Sequence, residues 1–551
     1  MADPAKLVEQ ARTALRAGDL AGAESAASQA LTLEPEHPQL LNLLGLVTLA
    51  QRRFADADRL FERAIARDRR APEFHHNRGI ALKSLGRGAD AVASFRRARD
   101  LAPSHPEILF SLGTALFGED RLDEATAVLR RVAALAPDRA DIRVKLGDTL
   151  LKRGRFEEAR VEYESAFAAQ PSSLDAVVAL AFVRYRLGDH AGAESLYRQA
   201  LSAGRTDVTV LTTLGALDNL RGDFEAAERH FREAIALDPA IPRPHLNLGG
   251  LLLLTGRLEE GWKEYRAQAA TTPGIARVES LSQLAPGSTI ALHGEQGLGD
   301  ELFFLRWLPG LRSRGFKPRL HLSPRLAPLL VRSASVLAGE LGSSASDSPE
   351  VAVRVGDLPP LLWGGEPYPS SIRLVPSPPA LETLRARMAQ LGPPPYIGVA
   401  WRAGTPLEEQ GAVAKVLSKA VPIEVLARIL AGARATVVSV QRNPEAGETD
   451  GLARFAGLRV HDLSATNTDL EEALALMALL DEYVGVSSTN VHLRHAVGRP
   501  SKVLIPNPPE WRWGARGESP WFPGTAVYRE VVGRGWDEAA TRLRRDVGLP
   551  A

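Results

Sequence analysis

The chain contains no cysteine among its 551 residues, so disulfides, thiolate zinc sites, iron–sulfur clusters and a cysteine nucleophile are all excluded. It also lacks a charge excess: 67 basic and 66 acidic residues leave a formal charge of +1. Such a balance gives no bulk attraction to nucleic acid or to an anionic membrane. Long apolar runs are missing too. The stretch around Leu251–Leu254 falls far short of the roughly 18 residues that span a bilayer. The first residues, Met1-Ala2-Asp3-Pro4-Ala5-Lys6, lead into charged amphipathic sequence without a signal-type apolar core. A soluble, cytoplasmic protein is expected. No His/Asp/Glu cluster has metal-ligand spacing, no GxxxxGK[ST] occurs, and no basic–aromatic face marks a nucleic-acid partner.

What is present is unevenly distributed. Eleven prolines lie in residues 1–270 and 27 in residues 271–551, while all eight tryptophans lie at or after Trp262. The first half is rich in Ala, Leu, Arg and Glu, which favour helix. The second mixes β-branched runs with Gly and Pro punctuation. Two architectures share one chain, with a composition boundary near residue 270.

The first half repeats every 34 residues, from Pro4, Pro38, Pro72, Pro106, Ala140, Leu174, Val208 and Pro242. The eighth position is always small: Ala11, Gly45, Gly79, Gly113, Gly147, Ala181, Gly215 and Gly249. The twentieth is Ala23, Ala57, Ala91, Ala125, Ala159, Ala193, Ala227 and then Gly261. Two helices per unit can nest only where a small residue meets the other axis, and proline ends the second helix at Pro35, Pro103, Pro137, Pro171 and Pro239. This pattern resembles tetratricopeptide repeats, eight of them, in a domain placed at residues 1–270. The resemblance implies a superhelix whose concave face holds an extended peptide or partner protein. The early positions of each first helix, Asn42, His76, Asn77, Thr212 and Asn247, would line that acceptor groove.

From Ser288 the period changes to strand–turn–helix. Ser288–His293 reads as a buried strand, then Gly294-Glu295-Gln296-Gly297-Leu298-Gly299-Asp300, then a helix over Glu301–Ser313. A glycine turn before a helix N-terminus is an anion-handling arrangement of open α/β sheets. Strands are predicted at Arg319–Leu322 and Val351–Val355, and a proline-rich stretch, Pro359–Pro379, leads out of this lobe. A second lobe opens at Tyr396–Trp401. It continues through a helix at Ile423–Leu430, a strand at Ala435–Gln441 and a helix at Leu470–Leu480. The strand Tyr483–Val486, a helix opening at Thr489-Asn490 and a strand at Val503–Pro506 follow. The last helix is expected over Trp536–Asp546. Alternation of this kind predicts parallel sheets.

Four segments then resemble the tetratricopeptide-linked members of the GT-B glycosyltransferases, a heptosyltransferase-like and O-GlcNAc-transferase-like group. They are His293–Asp300, Gly398–Gly404, Val484–Gly498, and Pro508–Trp513 with Ser519–Pro523. The resemblance implies two Rossmann-like lobes: an acceptor-side lobe at residues 285–385 carrying the base, and a donor-side lobe at 393–551. Transfer would be metal-independent, with a nucleotide-sugar as co-substrate and no other cofactor. Related glycosyltransferases carry a ladder of asparagines in the repeat groove. Here only Asn77 and Asn247 hold the sixth position of a repeat, beside Leu43, Ser111, Lys145, Ala179 and Thr213. Many relatives also end the Val484 strand in Asp-Thr, where this chain has Ser487-Ser488.

Inverting transfer needs a base for the acceptor proton and positive charge for the departing phosphate. Heptosyltransferase-like relatives use the aspartate at the position of Asp300 as the proposed base; Asp300 also reads as an N-cap, and Glu295 stands in reserve. The donor side would be formed by Gly297, Gly299, Trp401, Arg402, Lys419, Gln441 and Arg442, with Lys415 competing with Lys419. Ser487, Ser488, Thr489 and Asn490 enter a helix whose free N–H groups can bind phosphate, with His492 one turn inside. A simple N-cap and a core histidine explain the same residues. Trp511, Trp513 and Trp521 are expected to lock the lobes together rather than stack on sugar.

Three functions are compatible with these residues. The first is transfer of a sugar to Ser or Thr of a protein recruited by the repeats, such as flagellin or another surface protein. The second is a scaffold whose transferase module has decayed. The third is transfer to lipopolysaccharide or another glycan.

Overall fold

The computed structural model describes residues 4–266, 278, 280–294, 297–333, 340–341, 351–364, 368–403 and 419–548. They form two compact units, one ending at Thr206 and one beginning at Asp207. The architecture changes near 270, but the packing boundary lies two repeats earlier.

The first unit is six helix pairs, from Pro4–Arg16 with Leu20–Leu33 to Leu174–Arg186 with His190–Ser202. The small eighth position has a partner. In each of four repeats of this unit the ring or branch at the twenty-fourth position fills the space above the glycine. A Cβ on Gly79 would lie 2.6 Å from Phe95, one on Gly45 2.6 Å from Phe61, and one on Gly147 2.4 Å from Tyr163. Phe61, Phe95 and Tyr163 are buried as a result. A second repeated constraint is the turn between the paired helices. Its residue is left-handed at Gly18, Gly86, Gly154 and Gly188, but the same position is Arg52 (φ 62°) and Asp120 (φ 58°) in two repeats. Side chains with a Cβ sit there at a cost that glycine avoids.

The second unit starts with the helices Val208–Arg221, Phe224–Leu237, Pro242–Leu254 and Leu258–Tyr265. These last two repeats are built into the α/β part. Trp262 is 1% exposed and meets Phe304, Trp307, Trp511 and Trp521 edge-on at 5.1–6.4 Å. Two backbone carbonyls at helix ends are also taken: Asn507 Nδ2 donates to Leu220 O at 2.6 Å and Ala515 N to Leu254 O at 3.1 Å.

Two parallel sheets follow. The first holds β1 (Thr289–His293), β2 (Lys317–His321) and β3 (Val351–Arg354) in the order β2-β1-β3. The second lobe contributes β4 (Tyr396–Ala400), a small antiparallel pair β5 (Arg402–Ala403) and β6 (Lys419–Ala420), β7 (Thr436–Ser439), β8 (Val460–Asp462), β9 (Glu482–Val486), β10 (Lys502–Ile505) and β11 (Ala526–Arg529). Its six-stranded sheet runs β8-β7-β4-β9-β10-β11, all neighbours parallel. Numbered within the lobe, that is the doubly wound order 3-2-1-4-5-6, whose direction of winding reverses between β4 and β9.

The predicted strands and the helices Ile423–Leu430 and Leu470–Leu479 stand within a residue or two of expectation. Several elements differ, among them a helix at Glu448–Ala456 that the sequence pattern did not predict. The helix expected from Glu301 begins at Leu298, breaks into a 3-10 turn at Leu305–Trp307 and resumes at Leu308. The proline-rich exit stretch gives way to a helix at Pro378–Leu391, started by Ser377, whose side chain accepts from Ala380 N. The short strands β8 and β11 have no counterpart in the sequence pattern.

Gly79→Ala forces the Phe95 ring aside and lowers stability in urea unfolding by about 1–3 kcal/mol, whereas Arg52→Gly raises it by about 1 kcal/mol. A fragment starting at Asp207 purifies as a folded species by circular dichroism. One starting at Ser288 lacks Trp262, uncovers the aromatic cluster and aggregates.

Candidate functional site

Ligands of doubly wound sheets bind beyond the carboxyl ends of the strands, where the winding reverses. In the second lobe that point is bounded by Trp401 and Arg402 after β4 and by Ser487 and Ser488 after β9. The helix Thr489–Ala496 starts there, with Ser488 as its N-cap residue, but no side chain caps it. The Ser488 hydroxyl instead lies 3.3 Å from Tyr483 OH, and the Asn490 amide donates to Val440 O at 3.3 Å. Thr489 is half-buried at the mouth. From the first lobe, the helix Leu298–Phe304 packs against this helix. Gly299 permits the approach: a Cβ there would lie 3.0 Å from the His492 ring and 3.7 Å from Thr489 Cα. Gly297 is the N-cap residue and makes no side-chain cap, so Asp300 lies in the first turn and is not the cap.

Asp300 is joined to the second lobe by charge. Its Oδ1 accepts from Arg512 Nη2 at 2.5 Å, and the carboxylate is 44% exposed. Arg512 is buried and also pairs with Glu510. Glu510 in turn receives Lys419 Nζ at 2.8 Å and the Ser487 hydroxyl at 2.9 Å. Asp300, Arg512, Glu510 and Lys419 thus form one alternating row from the first lobe to the switch point. Burial pushes the Glu510 pKa up, but the charges of Lys419 and Arg512 and their hydrogen bonds outweigh it and hold the carboxyl well below its usual range. Burial pulls Arg512 down, and Asp300 and Glu510 more than reverse that. His492 is different. Burial, then the charge of Arg512, drive its pKa well down, so the ring is neutral and packs edge-on against Phe303 and Phe522. The core-histidine reading describes it.

Other expected donor residues have structural partners. Arg402 donates to Glu448 Oε1 at 2.5 Å and to Asn443 O at 2.7 Å. Trp401 is 2% exposed and its indole N–H donates to the same Glu448 oxygen at 3.0 Å. Gln441 is a backbone clamp: its oxygen accepts from the N–H groups of Trp401 and Arg402, and its nitrogen donates to Arg402 O and Arg442 O. Trp401, Arg402 and Gln441 are thus tied to Glu448 and to backbone groups at the ends of β4 and β7. Arg442 is exposed. Glu295 and Lys415 lie outside the described residues.

Sequence reasoning missed Glu510 and Arg512 as site residues. The signal was two opposite charges set between tryptophans in Glu510-Trp511-Arg512-Trp513, in a segment too apolar to leave charges solvated. As expected, Trp513 and Trp521 are buried at 0% and 2% exposure and serve as packing.

In the repeats, the groove candidates partly bond to one another. Asn77 Nδ2 donates to Asn42 Oδ1 at 2.9 Å and His76 lies 2.9 Å from Ser111 Oγ, so adjacent first helices are stitched together. Thr212 is buried and returns its hydroxyl to Val208 O at 2.5 Å, which withdraws it from any peptide. Asn247 is half-buried. Among the described residues, no cluster of three or more His, Asp or Glu can hold a metal ion, and no helix is long and apolar enough to cross a membrane.

Tetratricopeptide-repeat profiles match residues 8–72, 44–103, 76–140, 144–208 and 221–274, with further repeat matches at 116–166 and 208–233. The helical half of the chain consists of tetratricopeptide repeats. Protein FlbA of Caulobacter vibrioides is 28% identical over 292 residues, 47% of this chain and 46% of that protein. The chain spans less than half the length of this curated relative. A tetratricopeptide repeat protein from Parabacteroides merdae is 17% identical over 44% of this chain and 97% of its own (TM-score 0.38). YrrB, a TPR protein with an unusual peptide-binding site, is 23% identical over 32% of this chain and 90% of its own (TM-score 0.29). PilF of Pseudomonas aeruginosa is 17% identical over 43% of this chain and 97% of its own (TM-score 0.35).

The buried row carries a pH signature. Folded Glu510 titrates below its unfolded value of about 4.3, so its contribution is whole above that pH and is lost as pH falls toward the folded value. Glu510→Gln strands Lys419, leaves Arg512 with Asp300 as its remaining counter-ion, and lowers stability at pH 7 by about 3 kcal/mol. Because the variant has no carboxylate to protonate, its unfolding free energy falls less than that of the wild type between pH 5 and pH 2. Urea titrations across that range measure both effects.

Proposed function

We propose that this chain is a metal-independent inverting glycosyltransferase of GT-B architecture. It takes a sugar from a nucleotide-sugar and transfers it to a Ser or Thr hydroxyl of a protein recruited by the repeats. The observation that carries the reading is the 3-2-1-4-5-6 parallel sheet, whose switch point at β4 and β9 meets a first-lobe helix bearing Asp300.

In this reading the donor phosphate sits at the N-terminus of the helix Thr489–Ala496, where the peptide dipoles favour negative charge. Lys419 lies beside it, through Glu510 and Ser487. Asp300 takes the acceptor hydroxyl proton on its exposed carboxylate while Arg512 holds Oδ1 in place. The acceptor oxygen bonds to the anomeric carbon, the anomeric carbon–phosphate oxygen bond breaks, and the electron pair leaves with the nucleotide. The repeats supply the polypeptide, and the sugar-accepting hydroxyl is presented from the side of the first lobe.

A second reading is favoured by one observation. Lys419 is neutralised by Glu510, and Ser487 stands where many similar enzymes have a carboxylate. A phosphate must therefore compete with an internal anion. In that reading the chain is a repeat scaffold with a decayed transferase module.

Calorimetry with a panel of nucleotides and nucleotide sugars separates the two. The transferase reading expects saturable binding of one nucleotide class, weakened at least tenfold by Lys419→Ala and unchanged by Asp300→Asn. Intact-mass analysis of surface-protein acceptors then shows a sugar-sized gain that Asp300→Asn slows by about 10²- to 10⁴-fold. No binding by any nucleotide selects the scaffold.

A further inference from the structure

A cavity of about 430 Å³ opens where the last two repeats meet the α/β part. Phe224, Leu254 and Leu258 line it from the repeats, and Tyr368, Trp511 and Trp521 from the other side. Its volume is in the range of pockets that enclose a small ligand or a large side chain. We propose that this cavity is an acceptor subsite that takes an uncharged aromatic side chain of the polypeptide substrate; the inference rests on the transferase reading above.

Three features select that occupant. The floor is leucine and tryptophan carbon, with Leu254 and Trp521 buried, so the ring hydroxyls of a saccharide would find no partners there. The only charged residues among those lining the cavity are Arg516 and Glu518, of opposite sign and both exposed. A rim of zero net charge gives a nucleotide phosphate nothing to hold. Half-exposed Phe224, Tyr368 and Trp511 offer ring edges and faces to a further ring, the arrangement that aromatic pairs prefer.

Position ties the cavity to the reaction. Trp511 is its wall, and the Arg512 guanidinium lies 4.4 Å from the Trp511 ring. Arg512 is the residue that holds Asp300. One tryptophan therefore separates the aromatic subsite from the arginine that positions the base. An aromatic residue seated here would set the register of the chain, so that a hydroxyl residue nearby on the same polypeptide reaches Asp300.

The test uses the full chain and a capped hexapeptide with benzoylphenylalanine flanked by Gly and Ser, photo-cross-linked and mapped by mass spectrometry. Cross-links are expected within Leu253–Leu258, at Tyr368 or within Trp511–Trp521. The same peptide with Phe competes; the versions with Glu or Gly do not. Thr255 is exposed at the rim and bonds only helix-end carbonyls. Thr255→Trp fills the cavity and cuts cross-linking at least tenfold, while Thr255→Ala leaves it within twofold. In transfer assays Thr255→Trp raises KM for the protein acceptor at least tenfold and keeps kcat and nucleotide affinity. Cross-links elsewhere, cross-linking that survives the tryptophan, or displacement of the peptide by a nucleotide would overturn the proposal. If no nucleotide binds the wild type yet the cavity still cross-links, the transferase reading fails and the aromatic subsite stands.

Discussion

The Glu510 carboxylate is the point on which the second unit depends. It is a buried anion receiving Lys419, Arg512 and the Ser487 hydroxyl. Neither cation belongs to the same element as the other. Lys419 sits on a small antiparallel pair of the second lobe, and Arg512 reaches out of the crossing segment to Asp300 in the first. An ion pair of this burial adds little net stability over a well-packed apolar substitute. What it does is fix geometry, since a charge without its partner in this place is costly. The lobes can therefore meet in one arrangement at the candidate site.

The same segment does a second task with different physics. Around Glu510 and Arg512 it carries Trp511 and Trp521, which close over Trp262 of the last repeat and over Phe303 and Trp307 of the first lobe, and Trp513, which stacks on Phe522. Charges set the register and aromatic area supplies the adhesion. Repeats seven and eight thereby become part of the α/β unit. The last two repeats thus pack on the segment that carries Glu510 and Arg512.

The helical half was legible because its constraints are local. A small residue every 34 positions is needed wherever Phe61, Phe95 or Tyr163 must lie flat on the facing helix. The left-handed turn was hidden at Arg52 and Asp120, where the residue type does not announce it. In the α/β half, strands with β-branched or apolar runs were legible; β8, three residues ending in His461-Asp462, was not, and β11, four residues like β3, follows a Gly- and Pro-rich segment that shows no period. Gly297 to Asp300 looked like a loop because two glycines weaken a helix; the helix nonetheless starts at Leu298, and Gly299 answers to the close approach of His492 of the other lobe, 3.0 Å from where a Cβ would lie. Of the Glu510 cluster only the pair with Arg512 is local; Lys419, Ser487 and Asp300 are distant in the chain, so the row they form did not show in the sequence. Trp262, beside Gly261 at the twentieth position, hinted that the last repeat is unlike the others. Trp401 and Arg402 give polar groups to Glu448, at the start of the helix Glu448–Ala456 that the sequence pattern did not predict, and Gln441 bonds backbone groups of Trp401, Arg402 and Arg442, distant pairings that spacing along the chain does not show.

The Glu510 carboxylate couples the two lobes and, through the neighbouring Trp511, the last two repeats. Hydrogen exchange on the wild-type chain and on Glu510→Gln reads that coupling. Protection is expected to fall together in the helix Leu298–Phe304, in Thr489–Ala496 and in Pro242–Tyr265, with the first six repeats unchanged. Loss of protection confined to the segment around residues 507–523 would contradict it.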